Sequence, residues 1–330
     1  MPYTIAISPL PWVSVEKAAA WHEVVAAATE HDLPGEQPPS LKQVHAQLTT
    51  GGLDSRRLLW LATGPDGAVE GVAGLRLFDS PGREHLSELE LYVHPDRRRR
   101  GVGSQLLAQA VFAARVEQRR SMVGVAADGG PGAALCEAHG FRRVLTFIHL
   151  LLDVAAADTR AADVAPPGYA LVAWTGTVPD DLAGAFATAK NAMNDMPTGE
   201  MDYGEQHWDV ERVRAMARVL ADRGDILLTV AALHGNVMAG FTEIVIRAGE
   251  QRRALQYDTA VMPEHRGHGL GMWLKAAMVR RLRAEHPAIT EIETDNAQDN
   301  VHMLAVNQHL GFREHRRSHE YQLDVQAGTG

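Results

Sequence analysis

Apolar residues recur along the chain at every second position over short runs and at every third or fourth over longer ones, the periods of half-buried strands and amphipathic helices. In the first half the short period predicts strands at Leu58 to Ala62, Val69 to Phe78, Leu86 to Val93, Met122 to Ala126 and Thr146 to Leu152. The long period predicts helices from Val15 to Ala28 after Ser14, from Leu41 to Leu48 after Ser40, and from Val102 to Val116. The second half repeats this order. Strands are expected at Tyr169 to Trp174, Ile226 to Leu233, Val237 to Arg247, Leu255 to Val261, Ile289 to Thr294 and Tyr321 to Val325. Helices are expected at Asp180 to Met193, Val210 to Ala221, Gly271 to Ala284 and Asn300 to Leu310.

The likeness of the halves extends to individual residues. Leu91 to Leu107 (LYVHPDRRRRGVGSQLL) aligns without gaps to Thr259 to Lys275 (TAVMPEHRGHGLGMWLK), and each copy reads strand, Pro, basic turn, glycines, helix. Farther on, Gly140-Phe141 answers Gly311-Phe312. Val154 to Gly168, small residues ending in Pro166-Pro167, separates the copies as a linker. The expected organisation is therefore two α/β domains, 1–153 and 169–330, joined by 154–168.

Composition narrows the function. The net charge of -9 over 330 residues offers no field for a phosphate backbone, so no nucleic-acid partner is expected. The single cysteine, Cys136, excludes an internal disulfide and points to a reducing compartment; as a nucleophile it lacks an activating neighbour in sequence. No run approaches the ~20 apolar residues of a membrane span, and MPYTIAISPLPW has no basic leader region, so a cytoplasmic protein is expected. The histidines show no metal-ligand spacing, and no metal is expected.

Candidate chemistry concentrates at the repeated turn. A helix opening with Gly-x-Gly leaves its first N–H groups bare, and glycine lets a bulky anion approach them. Arg98 and Arg266, each three residues before the first glycine, would add a charge-assisted donor, which suits a diphosphate. A dinucleotide fingerprint fails because Leu106 and Leu274 stand where its third glycine belongs, and neither turn has the Gly-Lys-Ser/Thr of a Walker loop.

Both turns resemble motif A of the Gcn5-related N-acetyltransferases (GNAT), Arg/Gln-x-x-Gly-x-Gly/Ala after a strand ending Val-x-Pro. Val93-x-Pro95 with Arg98-x-x-Gly101-x-Gly103 is one match, and Val261-x-Pro263 with Arg266-x-x-Gly269-x-Gly271 the other. The resemblance implies two tandem GNAT-like domains, each a mixed central sheet flanked by helices, with acetyl-CoA as co-substrate. It implies CoA contacts from Thr259, Ala260, Val261, Arg266, Gly267, His268, Gly269, Leu270, Gly271, Met272, Asn296 and Asn300. In the N-terminal copy the corresponding contacts are Leu91, Tyr92, Val93, Arg98, Arg99, Arg100, Gly101, Val102, Gly103 and Ser104. The family's later helix, Asn-x-x-Ala-x-x-x-Tyr-x-x-x-Gly-Phe, often supplies the Tyr as general acid. Here Asn307 stands in the Tyr position of the C-terminal copy. The N-terminal copy has Gly129, Gly132 and Cys136 at the three corresponding positions, with Pro131 shortening the helix, so the C-terminal domain is expected to be catalytic.

An attacking amine must be neutral, and a carboxylate near the thioester is the usual base. Asp258, three residues before Val261, is the first candidate, with Glu90 as its counterpart; an alternating strand also places polar residues on its wet face without further purpose. Asn307 would orient, and Tyr321 on the last strand is the fallback acid. Glu243, and Asp195 and Glu200 in the loop from Asn191 through Pro197 to Glu200, are expected to meet a cationic small-molecule amine, although the loop carboxylates can equally cap a helix. The expected reaction is direct acetyl transfer to a primary amine. The alternatives are a non-catalytic acyl-CoA-binding or sensing protein, favoured by the missing tyrosines, and catalysis by the N-terminal copy.

Overall fold

The computed structural model describes residues 3–195 and 199–326; Pro197 of the expected binding loop lies outside them. In chain order the strands are β1 (Ala6–Pro9), β2 (Ser55–Thr63), β3 (Val69–Phe78), β4 (Leu86–Val93), β5 (Ser121–Ala127), β6 (Arg142–Asp153), β7 (Tyr169–Thr175), β8 (Ile226–His234), β9 (Val237–Ile246), β10 (Arg253–Val261), β11 (Glu291–Ala297) and β12 (Arg313–Asp324). The helices are α1 (Val15–Asp32), α2 (Leu41–Thr49), α3 (Val102–Val116), α4 (Pro131–Ala138), α5 (Ala183–Lys190), α6 (Val210–Asp222), α7 (Leu270–Glu285) and α8 (Val301–Leu310). Ser14 and Ser40 cap α1 and α2, Ser40 reciprocally with Gln43. The helix expected from Asp180 to Met193 is shorter, because after Lys190 the chain tightens into a 3-10 turn, Asn191–Asp195. The edge strand β1 has only four residues and ends in Pro9, too little to show a period.

The chain forms two compact units, residues 1–146, 199–204 and 318–330 in one and 147–198 and 205–317 in the other. In the N-terminal unit β1 to β4 pair antiparallel in sequence order, and β4 pairs parallel with β5. The far edge of β5 is taken by Ser318 to Asp324 of β12. The C-terminal unit repeats this plan with β7, β8, β9 and β10 antiparallel and β11 parallel to β10. The far edge of β11 is taken by Phe147 to Asp153 of β6.

Each unit is thus completed by the last strand of the other sequence half, and the boundaries differ from those expected at 153 and 169. The expected linker also belongs to the second unit. Arg283 of α7 donates to the carbonyls of Val154 (2.8 Å from Nε) and Ala157 (3.0 Å), while Val154 and Ala157 are buried against that helix.

Helices cover both faces of each sheet. Along β2, Leu59 and Leu61 face α1 and α2, whereas Trp60 and Ala62 face α3. In the C-terminal unit Leu228, Val230 and Ala232 pack on α7, and Ala231 packs with Phe186 of α5 on the opposite face. Burial on both faces explains why the central strands read as continuous apolar runs.

The exchanged strands make a direct prediction. A fragment of residues 1–153 lacks the β12 segment that covers β5, including Tyr321, which is buried among Leu106, Met122 and Phe141. It should lack a cooperative melt by circular dichroism and should associate on gel filtration. A monomeric fragment with a sharp melt would show that the exchange is dispensable.

Candidate functional site

In the C-terminal unit β10 ends at Val261 and one 3-10 turn, Pro263–His265, leads to the glycines. Gly267 and Gly269 have φ of +82° and +75°, left-handed values that a side chain would strain. Gly269 caps α7 without a side chain, so the first N–H groups of that helix lack intrahelical acceptors and face outward. A Cβ on Gly271 would meet nothing nearer than Val306 at 4.0 Å, which leaves open space over those donors. The turn fits an anionic diphosphate.

Arg266 acts differently from its expected part. Its Nε donates to the carbonyl of Val261 (3.1 Å) and its Nη2 to Asp195 (2.7 Å), so it fastens the turn to the strand end before it can serve a ligand. Asp195 is accordingly a partner of the turn, not a free receiver for an amine. The N-terminal turn repeats the device: Arg98 donates to Val93 (3.2 Å) and clasps both oxygens of Asp32 (2.6 and 2.7 Å). Burial raises the Asp32 carboxyl, and the hydrogen bonds from Arg98 and His31 outweigh it, leaving the group below its usual range.

The strands beside each turn diverge. β10 pairs with β11 only from Arg253 to Leu255, and β4 with β5 only from Leu86 to Leu89, after which each parallel pair parts. Thr259, Ala260 and Val261 pair with Thr242, Phe241 and Gly240 on one side, which leaves their other edge toward the opening. Leu91, Tyr92 and Val93 pair with Ala73, Val72 and Gly71 in the same way. One feature separates the copies. β10 carries a bulge between Gln256 and Thr259, at Tyr257-Asp258, whereas the pairing of β3 with β4 is unbroken.

At the bulge Asp258 meets Lys190, the last residue of α5, and the same ammonium donates to Glu243 on β9 at 2.8 Å. Lys190 and Glu243 are buried and Asp258 is a third exposed. Rings of Trp208 and Phe241 lie 4.5 and 5.4 Å from the Lys190 ammonium. Burial opposes its charge, but the two carboxylates win and raise it. Burial likewise raises Glu243, against the pull of Lys190. Removing one partner from such a buried set costs about 3–5 kcal/mol. Two carboxylates against one ammonium leave a net negative centre when all are ionised. Sequence reasoning found Glu243 and Asp258 but missed Lys190; one clue was its place among only four lysines, as the one charged residue of its helix.

Asn307 is fully buried in α8 and donates from Nδ2 to Oδ1 of Asn296 on β11 at 2.6 Å, while its own Oδ1 has no partner. Asn300 caps α8 by accepting from the Met303 N–H. His268 turns Nδ1 back to the carbonyls of His265 and Arg266, and Leu270 and Met272 pack into the core under α7.

Two expected residues lie elsewhere. Tyr321 is in the N-terminal unit, where it pairs with Gly124 and donates to Glu137 at 3.0 Å, because β12 crosses to that sheet. Burial, then Glu137, push its hydroxyl up to about 12, so it is no acid for the C-terminal turn. Glu200 also belongs to the N-terminal unit, exposed, 3.7 Å from Arg142.

In the N-terminal turn Arg100 donates to the Tyr3 hydroxyl at 3.1 Å, Ser104 meets His139 at 2.9 Å and Val102 is buried. Arg99 and Gly101 both have positive φ. Gly103 is more crowded than Gly271, since a Cβ there would touch Leu135 at 3.4 Å. α4 starts at Pro131 and has eight residues against ten in α8. Burial, then Glu137, push the Cys136 thiol up to about 11, which suits a packed side chain better than a nucleophile. Among the described residues no group of His, Cys, Asp or Glu is arranged to hold a metal, and no helix is long and apolar enough to cross a membrane.

Known proteins share this arrangement. Residues 55–143 match the acetyltransferase (GNAT) domain and residues 191–312 the acetyltransferase (GNAT) family. A mycothiol acetyltransferase of Clavibacter michiganensis subsp. michiganensis is 34% identical over 69% of each chain, and one of Clavibacter sepedonicus is 33% identical over 80% of each. A tandem GNAT protein from the clavulanic acid biosynthesis pathway superposes with a TM-score of 0.84 at 27% identity, covering 98% of this chain and 100% of its own. A GCN5-related N-acetyltransferase from Sphaerobacter thermophilus shares the fold at 18% identity, with a TM-score of 0.73 over 98% of this chain and 96% of its own. With two such domains in tandem, each carrying the glycine turn and the parting strands, the chain belongs to the GNAT acetyltransferases, which move acetyl groups from acetyl-CoA to amines.

Proposed function

We propose that the C-terminal unit carries the transfer, that its turn from Arg266 to Met272 holds the CoA diphosphate, and that the acceptor is a small molecule bearing a primary amine. The observation that carries this reading is the bulge at Tyr257-Asp258. A bulge re-aims a side chain, and this one brings a partly exposed carboxylate against Lys190 on a strand whose free edge borders the opening. The mycothiol acetyltransferases among the relatives support a small-molecule acceptor.

Acetyl-CoA supplies the thioester, whose C–S bond is exchanged for a C–N bond to the acceptor. Asp258 receives the proton that the amine sheds, and passes it to solvent at its exposed side. Lys190 holds Asp258 in place and shares its charge with Glu243. The net negative centre attracts a cationic amine. Asn307 orients through its bond to Asn296. The departing thiolate takes its proton from solvent, since no tyrosine of the Gly-Phe helix stands in its place.

Asp258→Asn keeps Lys190 paired with Glu243 and should lower kcat by about 10²- to 10⁴-fold with CoA affinity unchanged. Gly271→Val should abolish CoA binding by calorimetry, while Gly103→Val should leave turnover intact. Loss of turnover in Gly103→Val with retention in Gly271→Val would move catalysis to the N-terminal unit.

Glu90 favours that second reading, because burial pushes its carboxyl up against the pull of Arg57. The same shift has a stability signature. A carboxyl raised in the folded state contributes stability below its unfolded value, about 4.3, and loses it as pH rises through the folded value. Glu90→Gln should therefore raise the melting temperature at pH 8, with the gain shrinking toward pH 4 and turnover unaffected. A gain independent of pH would assign the effect to packing; a large loss of turnover would make Glu90 the base.

A further inference from the structure

Beyond the diphosphate turn, the C-terminal unit has a wall of rings without a charge partner. Tyr169, which opens β7, has His234 at 5.1 Å, His265 at 5.7 Å and His268 at 5.8 Å between ring centroids. His234 and His265 lie 5.5 Å apart. His265 and His268 belong to the turn itself, and His234 ends β8. The Tyr169 hydroxyl bonds Nδ1 of His265 at 3.0 Å. His268 places Nδ1 at 3.2 and 3.1 Å from the carbonyls of His265 and Arg266. Carbonyls only accept, so Nδ1 carries the hydrogen and Nε2 is the nitrogen left for a ligand.

The N-terminal unit builds the corresponding wall from arginines and neutralises it internally. Arg97, aligned with His265, pairs with Asp66 at 2.7 Å and approaches Glu70 at 3.5 Å. Arg100, aligned with His268, donates to Tyr3, which in turn donates to Glu70. Among the described residues none of the three histidines pairs with a carboxylate. The charged groups nearest in the turn are Glu264, which is exposed, and Arg266, already committed to Asp195. Three imidazoles gathered with no anion of their own form a surface that an external anion completes, since an imidazolium offers its N–H groups as charge-assisted donors.

We propose that His234, His265 and His268, held by Tyr169, form a subsite for the phosphomonoester on the ribose of CoA, beside the turn that takes the diphosphate. The subsite rests on the reading that CoA occupies the C-terminal turn.

The test measures calorimetric affinities of the full chain for CoA and for dephospho-CoA. Wild type should prefer CoA by about tenfold. His234→Asn with His265→Asn should largely lose the preference and keep the wild-type affinity for dephospho-CoA. His234→Asn, on an exposed hairpin end, gives a variant that spares the turn and should lose part of the preference. An unchanged preference in both variants, or none in wild type, overturns the subsite. If Gly271→Val abolishes CoA binding while the histidine variants keep the preference, the subsite alone fails. If Gly271→Val leaves CoA affinity intact, the assignment of the turn fails, and the subsite with it.

Discussion

The hydrogen bond from Arg266 Nε to the Val261 carbonyl ties the end of a strand to the turn that starts a helix, and the architecture of the C-terminal site depends on it. Two left-handed glycines would otherwise leave that turn free to sample many conformations. Asp195 holds the other side of the guanidinium, so one side chain couples the strand end, the turn and the segment after α5. Its repetition at Arg98, with Val93 and Asp32, marks it as a property of the fold. A bare helix N-terminus presents useful donors only when its direction is settled, and the Arg settles it.

The second constraint is the parting of parallel strands. A parallel pair that stops after three or four residues leaves two strand edges with unpaired backbone groups, which an extended ligand can satisfy. Both units have this opening, but only β10 adds the bulge that brings a carboxylate to a buried lysine. Burying Lys190 and Glu243 is unfavourable in itself; their mutual contacts and the rings of Trp208 and Phe241 offset that cost and hold Asp258 in one orientation. The two copies therefore share a frame and differ in chemistry.

The fold class, the tandem repeat and the glycine turns were legible in the sequence because each rests on local rules. Short apolar runs mark β2, β3, β8 and β9, serines mark the starts of α1 and α2, and a gapless repeat exposes both turns. Asp258 and Glu243 were legible as polar residues on apolar strands. Pro131 likewise foretold the short α4.

What tertiary structure decided was partnership. The pattern of Tyr321 and its neighbours specifies a strand, but not which sheet edge receives it, since β5 and β11 both offer an antiparallel place; pairing over seven residues in each sheet is a long-range choice. That choice took Tyr321 away from the C-terminal turn, as docking against the N-terminal unit took Glu200. Lys190 and Asp258 are 68 residues apart, and Asp195 and Arg266 are 71, separations at which no periodicity connects two side chains. Local spacing determined where the glycine turns are. Only the folded chain determined which charges are already spent on holding those turns and which remain for a ligand, because a charge is neutralised by what lies beside it in space.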